Sequence, residues 1–231
     1  MKRFLDIICA AFGLIVLLPL LCPLAILLRM TGEGKVFYRQ ERMGFGLKPF
    51  FILKFATMLE NSPLLGSGDI TLKNDPRVLP VGRVLRKTKI NELPQLWNVL
   101  IGEMSLVGPR PLTLNQFGLY SADTAVVIAK AKPGITGVSA LVFRDEERFL
   151  AGRANPREYY SQVLLPRKAR LESWYSENRT FLIDVTVLLL TACVVLKPSS
   201  RIAETWVHNA SGVGVADLYD GTQMTDASKD R

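Results

Sequence analysis

Histidine is nearly absent from this chain. His208 is the single one in 231 residues, which argues against an imidazole-based catalytic triad and against a metal centre with several histidine ligands. Cysteine is scarce as well. Cys9, Cys22 and Cys193 each lie in an apolar run, no two stand at metal-ligand spacing, and their odd number argues against a disulfide framework. No groove-reading element of a nucleic-acid-binding module is recognisable, so nucleic acid is not an expected partner.

What the chain does have is positive charge and long apolar runs. The net charge is +8, and residues 29–110 carry 13 Lys/Arg against 7 Asp/Glu. A basic surface suits anionic lipid, nucleic acid or phosphorylated substrates. The apolar segment beside it favours lipid and phosphate. The length allows one domain with a core of its own, plus attachments.

Residues 7–28 carry no charge. As a helix they would extend about 33 Å, enough to span a bilayer. A signal peptide would share the basic start, Lys2-Arg3, but no small-x-small cleavage site follows. A lipoprotein signal at Cys22 is disfavoured because bulky Leu21 precedes it. A straight span fits the length. A re-entrant hairpin fits better, since Pro19 and Pro23 each remove a helix hydrogen bond past the midpoint. Both flanks are also basic, with Lys2 and Arg3 before and Arg29, Lys35, Arg39 and Arg42 after. The positive-inside rule therefore puts both ends in the cytosol.

Residues 31–55 read as a β-hairpin, with β-rich VFYRQER and PFFILKF punctuated by glycines. A polar loop over 61–73 and a helix-like GRVLRKT follow. Residues 112–132 read as helical, KPGITG (132–137) as a turn, and RDEER (144–148) as a solvated charge run. Residues 156–176 mix Tyr, Trp, Lys and Arg on an interrupted amphipathic helix, which suits headgroup level, while ordinary helix packing explains it nearly as well. The apolar run 181–196 is short for a span and is expected to lie in the interface or on the domain. Residues 199–231 lose periodicity, carry 3 Lys/Arg against 5 Asp/Glu, and read as a mostly disordered tail.

The chemistry concentrates in residues 86–111, RKTKINELPQLWNVLIGEMSLVGPRP. Leu93, Leu96, Trp97 and Leu100 follow helical spacing, with Asn91 as a candidate N-cap and Pro94 in a first turn. Arg86, Lys87 and Lys89 precede the cap. Gly108-Pro109-Arg110-Pro111 follows the helix, its two prolines stiffening the backbone around one guanidinium. A helix N-terminus, one carboxylate and several cations suit a phosphate ligand with a bridging metal ion.

The run NELPQLWNVLIGEMSLVGPRP resembles the signature of the bacterial sugar transferase family, the monotopic phosphoglycosyl transferases. FYRQERMGFGLKPFFILKFATM (37–58), KPGITGV (132–138) and YSENRTFLID (175–184) extend the resemblance over roughly residues 1–198. It implies an α+β fold, predominantly helical with a small β-hairpin. It also implies a monotopic membrane protein with an N-terminal re-entrant helix hairpin (1–30), turning at Cys22-Pro23 where the family has Ser-Pro. A cytosolic phosphoglycosyl transferase domain with interfacial amphipathic helices (31–198) would follow, at the cytosolic face of a bacterial inner membrane. The implied reaction moves a sugar-1-phosphate from a UDP-sugar to undecaprenyl phosphate and releases UMP. The implied site has Asn91 and Glu92 at the catalytic positions, Glu92 on Mg²⁺, and Lys54, Arg86 and Arg110 on phosphate. Membrane lipids are expected partners, a homo-oligomer is left open, and residues 138–155 are where a sugar pocket is sought.

The sequence departs from the family at one critical position. The family's nucleophilic Asp is Asn91 here, while Glu92 matches the Glu beside it. An amide is a poor nucleophile and a weaker metal ligand. Four outcomes stay open: Glu92 is the nucleophile; the lipid phosphate attacks directly, the favoured one; Asn91 is an introduced change or becomes Asp by deamidation; or the protein is an inactive scaffold or regulator of glycan assembly. A basic surface protein without chemistry is the remaining class.

Overall fold

In the computed structural model a 29-residue helix, α1 (Lys2–Met30), lies along one side of a mostly helical domain. The structure describes residues 1–65, 70–72, 75–144 and 146–213. Among them α1 is the one helix long and apolar enough to cross a membrane.

The helix is tied down at both ends. Near its start, Lys2 Nζ donates to Asp184 Oδ2, the Tyr175 hydroxyl and the Val107 carbonyl at 2.8–2.9 Å. Buried Asp6 accepts from the Leu106 N–H and the Ser105 hydroxyl, both at 2.9 Å. Ala10, Leu14 and Leu17 pack on Ile52, Leu96 and Met104, and Leu28 packs on Phe55 and Leu85. The other face shows Phe12, Ile15, Val16 and Ile26 to the outside. The turn expected at Cys22-Pro23 does not interrupt the helix, which stays helical through Pro19 and Pro23. Proline removes a donor, yet its fixed φ is itself helical, so the chain can continue past it.

The expected hairpin is present as β1 (Phe37–Met43) and β2 (Pro49–Phe55), antiparallel from Phe37↔Phe55 to Met43↔Pro49. Its turn uses left-handed backbone at Gly46 and Leu47. α2 (Pro80–Lys87) and α3 (Gln95–Ile101) follow. Asn98 of α3 accepts from Leu53 N–H and donates to the Phe51 carbonyl, which fastens α3 to the hairpin.

β3 (Ser105–Val107) pairs in parallel with β4 (Gly134–Thr136), so KPGITG is partly a strand rather than only a turn. The glycines explain it. A Cβ on Gly108 would meet the Lys132 carbonyl at 2.1 Å, and one on Gly137 the Gly108 carbonyl at 2.2 Å. The two motifs approach backbone to backbone, which only glycine allows. Between them the expected helix at 112–132 is two short ones, α4 (Leu114–Phe117) and α5 (Ala122–Ala129), capped by the Thr113 and Ser121 side chains.

The remaining helices are α6 (Val138–Val142), α7 (Glu146–Leu150), α8 (Pro156–Tyr159), α9 (Leu165–Asn178), α10 (Phe181–Leu196) and α11 (Ile202–Ser211). A π-helical turn, Tyr160–Leu164, joins α8 to α9. Of the two readings of 156–176, the burial supports ordinary helix packing: Leu164, Leu171 and Tyr175 are fully buried, and Lys168 and Glu172 nearly so. α10 buries Val187, Leu190 and Val194 and exposes Phe181, Leu182 and Leu189. The disordered tail also needs correction over 202–213. α11 buries Ala203 and Val207, and Trp206 meets Trp174 edge-on at 6.4 Å, so core packing orders a segment whose composition alone looked unstructured. Residues 214–231, and residues 66–69 and 73–74 of the expected polar loop, lie outside the described residues.

Candidate active site

Leaving α2, the chain turns back through Lys89, held in the left-handed region at φ 61°. A non-glycine residue there costs about 1 kcal/mol, so the surrounding contacts must hold the turn. A single 3₁₀ turn, Ile90–Glu92, follows. Asn91 is therefore not the cap of α3, as the sequence suggested; Pro94 precedes that helix. The buried face also differs. Gln95, Leu96, Asn98 and Val99 point inward, whereas Trp97 is 51% exposed. Asn98 decides this, because its bonds to β2 and to Glu103 turn the helix about its axis.

Glu92 lies between two cations from different elements. Its Oε1 is 3.0 Å from Arg110 Nη2, in the Gly-Pro-Arg-Pro turn, and 3.5 Å from Lys54 Nζ near the end of β2. The Glu92 and Lys54 side chains are 14% and 17% exposed, that of Arg110 37%, so the cluster opens outward on the arginine side. Burial alone would raise the Glu92 carboxyl, but Arg110 and Lys54 outweigh it and hold Glu92 well below the usual carboxylate range. Burial brings the Lys54 ammonium down to about 7. Glu92 opposes that shift, and Arg42, Arg110 and Arg86 add to it. The cluster thus has more positive charge than one carboxylate can balance.

Arg86 does not reach Glu92. Its Nη2 is 3.4 Å from Glu147 Oε1, and Lys89 Nζ stands 3.4 Å from the Arg144 carbonyl. Arg144 and Glu147 thus lie over the basic loop rather than in a run that is only solvated; Asp145 is outside the described residues. Glu146 pairs with buried Lys168 at 2.8 Å. Lys168 Nζ lies 5.5 Å from the Tyr160 ring centre. The sequence assigns no individual role to these residues or to Glu172 and Ser139 behind Arg110, although Ser139 and Glu146 lie in the segment 138–155 where a sugar pocket is sought. A signal was available: Leu164, Lys168, Leu171, Glu172 and Tyr175 share one helical stripe, and charge on a core stripe marks a buried polar site.

Asn91 is 6% exposed, and its Oδ1 has no hydrogen-bond partner. Among the described residues no group of three or more His, Cys, Asp and Glu side chains stands ready for a metal ion. A magnesium ion asks less, since one or two protein oxygens plus phosphate oxygens and water suffice. The Glu92 carboxylate and the partnerless Asn91 amide oxygen, adjacent in the chain, fit that demand.

A family model described as bacterial sugar transferase matches residues 1–198. The chain belongs to the bacterial sugar transferase family. Among curated members, the undecaprenyl-phosphate galactose phosphotransferase of Salmonella typhimurium is 37% identical over 211 residues, 85% of this chain and 40% of that protein. The exopolysaccharide production protein ExoY of Rhizobium meliloti is 36% identical over 172 residues, 68% of this chain and 76% of its own length. The UDP-glucose:undecaprenyl-phosphate glucose-1-phosphate transferase of Caulobacter vibrioides is 42% identical over 142 residues, 60% of this chain and 52% of its own. The chain thus spans about two fifths of the length of the galactose transferase. Within this sugar transferase chain the Glu92 cluster lies inside the matched region, as does all of α1.

Proposed function

We propose that this chain is a phosphoglycosyl transferase that moves a sugar-1-phosphate from a UDP-sugar to undecaprenyl phosphate at the cytosolic face of a bacterial inner membrane. The observation that carries this is Glu92 fixed ionised between Arg110 and Lys54, with surplus positive charge facing outward. Membership of the sugar transferase family and the printed activities of its relatives support the same reaction. In this reading α1 enters the membrane as an anchor that stays helical through Pro19 and Pro23. Both of its ends stay on the domain, which keeps the site at headgroup depth.

The Asn91 amide is a poor nucleophile. We therefore assign direct attack: an oxygen of the lipid phosphate bonds to the β-phosphorus of the UDP-sugar, and the bond from that phosphorus to the bridging oxygen breaks, releasing UMP. Arg110 and Lys54 neutralise the diphosphate, and Arg86 joins them once phosphate replaces Glu147. Mg²⁺ bound at Glu92 would supply further charge neutralisation. Electrostatic positioning of this kind suffices for phosphoryl transfer, in which the protein need do little covalent chemistry.

The experiment is turnover of a panel of UDP-sugars with undecaprenyl phosphate and Mg²⁺ in lipid nanodiscs, with the product identified by mass. A lipid-linked sugar diphosphate that is lost in Glu92→Gln supports the proposal. Full turnover in Glu92→Gln overturns the role of Glu92. A second reading, an inactive relative, rests on Asn91 standing where the family has its nucleophilic Asp. It holds if the native chain is silent and Asn91→Asp alone makes product.

A further inference from the structure

Arg110 is fixed at two points, and only one of them belongs to the charge cluster. Its guanidinium meets Glu92, while its backbone N–H donates to Glu172 Oε1 at 3.0 Å. The Ser139 hydroxyl donates to the same carboxylate oxygen through a short contact. Glu172 comes from α9, Ser139 from α6 and Arg110 from the turn after β3, so three elements converge on one atom. Glu172 is 3% exposed and Ser139 0%.

We propose that Glu172 is a positioning residue for Arg110: it holds the backbone of the Pro-Arg-Pro turn so that the guanidinium reaches Glu92 and, on the reading above, the sugar diphosphate. The turn's other fastenings are made by its proline carbonyls: that of Pro109 accepts from the Gly134 N–H at 2.9 Å and that of Pro111 from Arg42 Nη1 at 3.2 Å. Pro109 and Pro111 have no N–H, so the Arg110 amide is the single backbone donor among residues 109–111. The carbonyl bonds and the glycine contacts with β4 hold the turn on either side of the arginine, and Glu172 alone holds the Arg110 N–H. A buried carboxylate is costly unless its bonds require it, and burial raises the Glu172 carboxyl above its ordinary value. Acceptor reach should therefore matter more than charge.

That gives a test by rank order. Glu172→Gln keeps an oxygen at the same reach without the charge, whereas Glu172→Asp keeps the charge but withdraws it by one methylene. Two readouts apply to the full chain in nanodiscs, with melting temperatures checked for each variant. One is kcat and KM for a UDP-sugar. The other needs no substrate: hydrogen exchange resolved to the Arg110 amide, which its flanking prolines isolate. We expect Glu172→Gln to stay close to the native protein in both. In Glu172→Asp kcat falls about 100-fold, the scale of an ångström-level misplacement, and the Arg110 amide exchanges at least about 10-fold faster. If Glu172→Asp does not fold, Ser139→Ala, which frees the same oxygen, should accelerate that amide about 5-fold, the scale of one hydrogen bond. The proposal falls if Asp outperforms Gln, or if the amide keeps its native exchange rate in the folded variant carrying the test. Should the native protein turn over no UDP-sugar, the proposed function fails on that result, and amide exchange alone decides the role of Glu172.

Discussion

Two arginine–carboxylate pairs in this protein use the same groups to opposite ends. At Asp75 and Arg77 the pairing is saturated. Arg77 gives Nε and Nη2 to the two Asp75 oxygens and its remaining hydrogens to the carbonyls of Ser62, Leu65 and Ile70. Both side chains are buried. That pair is a knot under the loop and has no capacity left for a ligand. At Glu92 one carboxylate answers two cations, and the arginine is more than a third exposed. On the proposed function, a ligand-binding ion cluster is recognised by the charge it leaves unanswered, not by how much charge it holds.

The largest expected effect breaks the comparison at the open cluster. Arg110→Ala should cut turnover about 100- to 1000-fold, the range for losing one preorganised electrostatic partner of a reacting group, while the melting temperature stays near native. A large fall in melting temperature would make Arg110 a second knot and erase the contrast. Next comes Arg77→Met. Leaving Asp75 buried without its partner should lower folding stability by roughly 3–5 kcal/mol, read by chemical denaturation, with turnover per folded molecule unchanged. Loss of turnover in the folded fraction would make the two pairs alike.

A subtler effect sharpens the comparison through pH. Burial brings Lys54 to about 7 from 10.5. The unfolded chain holds that proton up to its higher value, so between pH 7 and 10.5 it binds more protons than the folded one. Stability therefore gains from this group as pH rises through that window, and carries the full cost of its burial below pH 7. A bound phosphate would return the proton. UDP binding at pH 8 should take up a fraction of a proton, measured by calorimetry in buffers of different ionisation heat, and Lys54→Met should abolish the uptake. Equal uptake in that variant would assign the proton elsewhere.

Much of the site was legible because its parts are contiguous. The hairpin, the basic loop and the Gly-Pro-Arg-Pro turn could each be read from spacing and turn chemistry, whereas the resemblance implied the places of Glu92 and Lys54; Lys54 and Arg110 do meet Glu92. What spacing could not give was the rotation of α3, which Asn98 sets by bonding to a strand more than forty residues earlier. The long-range wall behind Arg110 was equally hidden. Lys168 and Glu172 look like the polar side of a surface helix until partners from other elements turn them inward. Tail residues 202–213 show the same limit, since Ala203 and Val207 find their core only in three dimensions.

The attachment of α1 has a practical corollary for anyone wishing to make the protein water-soluble. Asp6 supplies hydrogen bonds to Ser105 and Leu106, and Lys2 reaches Val107, so the first helical turns complete the strand that leads into the arginine turn. Deleting residues 1–30 would remove more than grease. It would unstitch the edge of β3 and uncover Ile52, Leu96, Phe55 and Leu85 together, so a trimmed version should come out misassembled rather than merely released.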